Sequence, residues 1–394
     1  MYVAYPPDLE ALSAELREYF AGLMTEAERL GRPIESPQRY AQIRMQMGRD
    51  GWLGIGWPTE YGGRGRSELD QFVFFDEAKR AGAPVPMLAL NTVGPTLMRY
   101  GTDAQKEFYL PRILSGEIDF AIGYTEPEAG TDLASLRTSA VRDGDHYVIN
   151  GQKIFTSGGA HSDYIWLAAR TDPSAPKHQG LSILIVPTAA AGFTATRLPN
   201  IAEGGVRETT TTYYDDVLVP VANRVGRENE GWQLITSQLN HERVALAASR
   251  GWVVGIVAEV REFAAQTPAA SGGVLLDQPW VRLALARVEA RLEAMKLFNW
   301  RVAATLAAGA ELSGAESSAT KVFGTEALIE ACRLLQDVVG PAGYLTPDSP
   351  GAAAHGRLER AYREATVGTF AGGNNDVLRQ MIATKALGLR RPVR

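Results

Sequence analysis

The sequence predicts an α+β multidomain protein: a helical N-terminal domain, a middle antiparallel β-barrel or sandwich, and a C-terminal four-helix bundle. Three observations carry that expectation. The hydrophobic period changes twice along the chain, from helical to alternating and back to helical. The 394 residues exceed the roughly 250–300 at which a single hydrophobic core usually stops growing. The last third holds long, alanine-rich amphipathic segments suited to helix-on-helix packing. The boundaries fall at 1–118, 119–229 and 230–394.

In the first part, Leu9, Leu12, Leu16, Phe20 and Leu23 recur at spacings of three and four, which predicts a helix over Asp8–Met24. A glycine-rich loop, Trp57 to Gly65, precedes a second helical pattern over Leu69–Arg80, and Pro84, Pro86 and Pro95 punctuate the stretch after that helix. In the middle part, Leu136–Val141 and His146–Ile149 flank a tight turn at Asp143-Gly144, and Tyr164–Ala169, Leu181–Val186, Phe193–Leu198 and Thr209–Tyr214 read as further short strands. Their spacing fits an antiparallel sheet rather than alternating βα units. The bundle segments are Trp232–Phe263, Trp280–Leu306, Ala319–Val339 and roughly Leu358–Leu387.

Composition removes several function classes. A net charge of -5 gives no electrostatic reason to expect nucleic acid as a partner. The one cysteine, Cys332, excludes an internal disulfide and a CxxC metal or redox motif, and its apolar helical neighbours suit a buried structural thiol. No apolar run reaches membrane-spanning length and no signal peptide is visible at the start, so a cytoplasmic, membrane-free, metal-free protein is expected. Gly54-Ile55-Gly56 continues into Trp57-Pro58 without a third glycine, so a doubly wound dinucleotide fold is not expected.

Two motifs carry chemistry. Gly123-Tyr-Thr-Glu-Pro-Glu-Ala-Gly-Thr-Asp132 leaves a strand through a turn fixed by glycine and proline, exposing backbone N–H groups beside the hydroxyls of Thr125 and Thr131. Such a turn can bond a polar ring edge or a phosphate, although by itself it is an ordinary turn. Its companion, Asn150-Gly-Gln-Lys-Ile-Phe-Thr-Ser157, lies across the predicted hairpin. Further on, Ile235, Leu239, Glu242 and Leu246 fall at i, i+4, i+7 and i+11. That places Glu242 on an apolar helix stripe, where desolvation makes a carboxylate a stronger base. A helical glutamate is otherwise a solvated surface residue.

The pairing of these two motifs resembles the acyl-CoA dehydrogenase family, and the similarity covers essentially the whole chain. The resemblance implies FAD held between the β domain and the bundle and shared across a subunit interface. It implies that Tyr124, Thr125, Gly130 and Thr131 meet the flavin ring and pyrophosphate, and that Phe155 and Ser157 pack on and bond the ring's other face. Gly372, Asn374 and Asp376, in the C-terminal loop, complete the implied cofactor set. Thr131, Gly372 and Arg243 are implied at the acyl-CoA. The family dehydrogenates an acyl thioester between Cα and Cβ to a 2-enoyl-CoA, with a glutamate removing the α-proton and flavin N5 accepting hydride. The glutamate comes from either of two elements in different members. Here the C-terminal loop, Phe370-Ala-Gly-Gly-Asn-Asn-Asp376, has none and carries Gly372 (or Ala371) at that position, whereas Leu239-Asn-His-Glu-Arg243 supplies Glu242.

Two departures bear on assembly. Homo-oligomeric members usually carry Arg-x-x-Phe-Gly early in the second bundle helix, and the corresponding region here, Ser271–Pro279, has neither arginine nor phenylalanine. A Gln-x-x-Gly-Gly motif aligns with Asp337-Val-Val-Gly-Pro341, which sets a carboxylate where an amide normally meets the nucleotide. The combination resembles heteromeric acyl-CoA dehydrogenases of actinobacterial steroid breakdown. It implies a paralogous partner subunit, or a second copy of this chain, with an electron-transfer flavoprotein as electron acceptor. Two alternatives stay open: a non-catalytic partner subunit, and a flavin oxidase or monooxygenase on the same fold.

Overall fold

A computed structural model describes residues 5–202, 208–238, 251–310, 312–347 and 349–390. The chain opens with α1 (Pro7–Leu23), α2 (Glu26–Arg29), α3 (Pro37–Arg49) and α4 (Glu68–Arg80); a π-helical turn then leads into α5 (Gly94–Tyr100) and α6 (Asp103–Leu114). The strands come after these as β1 (Phe120–Gly123), β2 (Ser139–Asp143), β3 (His146–Ser157), β4 (Tyr164–Arg170), β5 (Leu181–Pro187), β6 (Phe193–Arg197), β7 (Thr209–Pro220) and β8 (Arg224–Val225). Next come α7, described over 231–238, then α8 (Gly251–Gln266), α9 (Pro279–Ala307), α10 (Gly314–Val339), α11 (Arg357–Val367) and α12 (Asn375–Lys385). Several helix starts are written in their caps. Ser67 and Thr102 form capping boxes with Asp70 and Gln105, and Ser36, Ser313 and Asn374 cap α3, α10 and α12.

These elements form two compact units: Met1–Arg32, Arg66–Pro84 and Arg243–Arg394 make one, and Pro33–Gly65 and Val85–Glu242 the other. The second unit is built on one sheet in the order β6-β7-β3-β2-β4-β5-β8, with β1 beside β4. Pairing is antiparallel except along β1–β4 and at one parallel contact of β2 with β4. Its core is Ala140, Tyr147, Ile149, Ile165, Leu167, Val217 and Val219, all fully buried. Helix α6 is tied to the end of the sheet by Gln105, whose amide donates to the carbonyls of Ala222 and Arg224 at 2.7 and 2.9 Å. The buried Arg44 of α3 donates to Gly116 O at 2.7 Å and faces Asp119 at 3.4 Å.

In the first unit α8, α9, α10 and α11 share one apolar cluster that includes Val253, Ile256, Val288, Ala331, Leu335 and Leu358. Helices α1 and α4 belong to this unit as well, joined by Glu77, which accepts from Ser13 Oγ at 2.6 Å and from Arg17 Nη2 at 2.8 Å. Cys332 is fully buried in the cluster, and burial pushes its thiol up to about 12, which suits a structural role. The single helical pattern expected over Leu358–Leu387 is instead two helices, α11 and α12. Gly372 and Gly373, at φ 64° and 112°, break it, because left-handed backbone cannot continue an α-helix. No described helix is long and apolar enough to cross a membrane, and no cluster of metal-ligating side chains occurs among the described residues.

Candidate active site

Strand β1 ends at Gly123, and the Tyr124–Asp132 turn folds back on itself through paired backbone bonds between Glu126 and Ala129 at 3.0 and 3.1 Å. The turn is then fixed to β3. Ile154 N donates to Thr125 O at 2.8 Å, and Lys153 Nζ donates to Tyr124 O at 3.0 Å and to Glu126 Oε1 at 2.9 Å. Glu126 also accepts from the backbone N–H groups of Arg137 (2.7 Å) and Thr138 (2.8 Å). The two sequence motifs are thus joined by a buried ion pair, with Lys153 wholly inaccessible. Burial opposes both charges. It lowers Lys153 to about 8 against the pull of Glu126, while the Lys153 charge and the Thr138 bonds outweigh burial at Glu126 and hold its carboxyl below the usual range. Removing one partner from such a pair typically costs about 3–5 kcal/mol, because the other charge is left buried alone.

Phe155 stands at the break this anchoring creates. The β3–β7 register slips between Lys153 and Thr156, and Phe155 takes φ 61° and is 57 % exposed as a residue. Left-handed backbone at a bulky residue costs roughly 1–2 kcal/mol. An aromatic ring held in solvent at that cost is the strongest functional signal in this unit.

Around it, Thr125 is half-buried, and Gly130, Thr131 and Ser157 are exposed. The phenol of Tyr124 points into the protein: it donates to Gln238 Oε1 at 2.5 Å and accepts from Trp166 Nε1 at 3.1 Å, leaving its backbone to face the motif. Beyond Thr131, Asp132 is held by Lys177 (2.8 Å) and Ser135 (2.5 Å). An exposed aromatic face, hydroxyls at three positions and a glycine with open backbone form a donor set that fits a planar, hydrogen-bonding heterocycle such as a flavin.

Gly372, Asn374 and Asp376 lie in the other compact unit. Asn374 Oδ1 accepts from Asp376 N at 2.8 Å as the cap of α12, and Asp376 and Gly372 are exposed beside Phe370. Glu242 and Arg243 lie outside the described residues. Ile235, on the apolar stripe assigned to Glu242, is buried. Asp337 is exposed. Four residues escape a reading of the sequence alone: Glu126, Lys153, Lys321 and Asn375. All but Lys321 sit inside quoted segments, and for Glu126 and Lys153 an acid and a base in adjoining polar segments are the available signal.

Sequence models of three domains match in tandem: "Acyl-CoA dehydrogenase, N-terminal domain" over 6–117, "middle domain" over 121–217 and "C-terminal domain" over 229–387. The chain belongs to the acyl-CoA dehydrogenase family. Acyl-CoA dehydrogenase FadE26 of Mycobacterium tuberculosis is 53% identical over 403 residues, covering 99% of both chains, and FadE29 of the same organism is 48% identical over 394 residues, again covering 99% of both. Among solved structures, the ChsE4-ChsE5 complex from Mycobacterium tuberculosis superposes with a TM-score of 0.92 at 54% identity over the full length of both chains. A structure described as the Tcur3481-Tcur3483 steroid ACAD gives 0.93 at 51%, also at full coverage. As an acyl-CoA dehydrogenase the chain is an oxidoreductase of a flavoprotein family.

Proposed function

We propose that this chain is the subunit bearing the flavin-ring face and the base in a hetero-oligomeric acyl-CoA dehydrogenase, converting a bulky acyl-CoA such as a steroid side-chain thioester to its 2-enoyl-CoA. The presentation of Phe155 supports this most: a ring set in solvent on strained backbone, bonded through β3 to the Thr125 turn, is a ready-made stacking face. The proposed cofactor is FAD, which when bound supplies the acceptor for the hydride from Cβ.

This chain's residues do the rest. Thr125, Thr131 and Ser157 offer hydroxyls to the ring's polar edges, and the backbone at Gly130 is open to a close approach. Glu242 takes the α-proton, and Gly372 leaves room where other members carry their base. Arg243 and Thr131 line the acyl-CoA path. Electrons leave to an electron-transfer flavoprotein. The second FAD half-site, lacking the arginine motif at 271–279, points to a paralogous partner subunit, in keeping with a relative described as the ChsE4-ChsE5 complex.

Anaerobic addition of a steroid side-chain acyl-CoA to the co-purified complex tests this. Bleaching of the flavin band with release of a 2-enoyl-CoA is expected. Bound flavin that no acyl-CoA bleaches would leave the chain a non-catalytic partner.

A further inference from the structure

We propose that the buried Lys153–Glu126 pair is a positioning device that sets the Tyr124–Thr131 turn against the bulge presenting Phe155, and so controls cofactor affinity and the flavin's electronic environment. This rests on the proposed flavin site and assigns to Lys153 and Glu126 a role beyond holding the fold together.

Connectivity carries the inference. The Lys153 ammonium grips the turn at two points, Tyr124 O and Glu126 Oε1, on either side of Thr125 in sequence. The remaining backbone link, Ile154 N to Thr125 O, comes from the residue between Lys153 and Phe155. Phe155 itself has left the β3–β7 ladder, so its place is set by its flanks: Lys153 on one side, and on the other the buried Thr156, which pairs with Thr210. The bonds that tie the turn to the Phe155 bulge therefore pass through residues 153 and 154. A change at Lys153 moves the ring and the Thr125 hydroxyl together.

Among the described residues, the charged groups that act on Lys153 are Glu126 and Arg170. Glu126 attracts it, Arg170 of β4 repels it, and its β7 partner Thr212 is uncharged. With its proton leaving near pH 8 and Glu126 held ionised, mild alkali removes the charge from one half of the pair alone. The strong charge-assisted bonds to the turn then become ordinary ones.

The test uses the holoenzyme complex with its partner and reads FAD Kd, the flavin absorption band and Tm between about pH 6.5 and 9.5, spanning the Lys153 titration. Single variants leave one charge buried alone, so the decisive variant is the neutral double substitution Glu126→Gln/Lys153→Met. We expect wild-type Kd to rise about tenfold through pH 8. In the double variant Kd is raised at pH 7, the flavin band is shifted, and the alkaline dependence is gone. A folded double variant with wild-type Kd, band and pH profile would overturn the proposal and leave the pair purely structural. The conservative Lys153→Arg keeps the cation, and a folded Lys153→Arg no nearer wild type in Kd and band than the double variant also counts against a role for the cation. A wild-type complex that takes up no flavin at all overturns the flavin site, and this role with it.

Discussion

The Lys321 ammonium on α10 lies 2.7 Å from Asn375 Oδ1, at the first residue of α12, and bonds the Gly373 carbonyl as well. Asn375 passes the link on, its amide donating to Thr325 Oγ1 and Glu326 Oε1, each at 3.1 Å. The glycine-rich 370–376 loop is thereby fastened to α10 by polar bonds.

Lys321→Met should free that loop. Losing hydrogen bonds to a charged donor, typically about 1.5–3 kcal/mol, predicts at least ~10-fold faster amide exchange across 370–376 with the rest of α10 unchanged. Burial lowers Lys321 from 10.5 to about 8. Between those values the unfolded chain binds the proton more tightly, so this group's contribution to stability grows as pH rises from about 8 to about 10.5. The difference in Tm between wild type and Lys321→Met should widen in the same direction over that window. Unchanged exchange across the loop would show that backbone turns alone hold it.

Glu242→Gln should leave flavin bound and slow the reductive half-reaction by at least ~10³-fold, as expected for loss of a general base. The glutamate-free 370–376 loop offers no substitute. A variant retaining more than about a tenth of the wild-type rate in stopped-flow reduction would move the base elsewhere.

Phe155→Gly separates stacking from strain. Glycine adopts φ 61° without the roughly 1–2 kcal/mol that phenylalanine bears there, offset in part by glycine's larger entropy loss on folding. Apoprotein Tm should therefore hold or rise while FAD affinity falls. A drop in apoprotein stability with unchanged FAD affinity would make Phe155 a packing residue.

Substrate preference should favour polycyclic or branched thioesters. The relatives described as a steroid acyl-CoA dehydrogenase align over essentially the full chain at 51% and 52% identity. Comparing kcat/KM for butyryl-, octanoyl- and steroid side-chain CoA decides it, and a clear preference for octanoyl-CoA discards the idea.

The order of domains is legible because hydrophobic period is read from side chains that pack, as with Leu9–Leu16 of α1 and Ile165–Leu167 of β4. The features that escape lie in polar segments. The alternating pattern ends β3 at Ile149, but the strand runs to Ser157, through Asn150, Gly151, Gln152 and Lys153. Asn150 keeps it in the sheet across a bulge by bonding Asp216 at 2.8 and 3.0 Å, and Gly151 fits because a Cβ there would meet Thr138 Oγ1 at 2.7 Å. A lysine inside a strand reads as solvated, and its partners across the fold, Glu126 and the Tyr124 carbonyl, make burial tolerable. Period alone cannot show that partnership. The two motifs are recognisable as patterns, whereas the clamp joining them needs three dimensions.

The 271–279 segment, where family members usually carry Arg-x-x-Phe-Gly, has no arginine or lysine. Within 271–279, Gln278 bonds Ser271 and Gly272, and Asp277 caps the short turn at Val274, so the loop closes on itself without a cation of its own. Beside it, a cavity of about 440 Å³ is lined by Arg261, Arg282 and Glu289 together with Val257, Leu276 and Leu285. Arg282 is already committed to Leu276 O at 3.0 Å and to Asp277 at 3.5 Å. A symmetric pair of these chains would lack the motif arginine that offsets phosphate charge, a contact of roughly 1.5–3 kcal/mol. That corresponds to about ten- to a hundred-fold weaker binding. The isolated chain should hold FAD weakly or below one per subunit, and co-expression with a paralogue carrying Arg-x-x-Phe-Gly should give a heterotetramer with two FADs. Flavin absorbance per subunit and native mass measure both. Full, tight occupancy in a homo-oligomer would refute this and turn attention to Arg261 as the replacement cation.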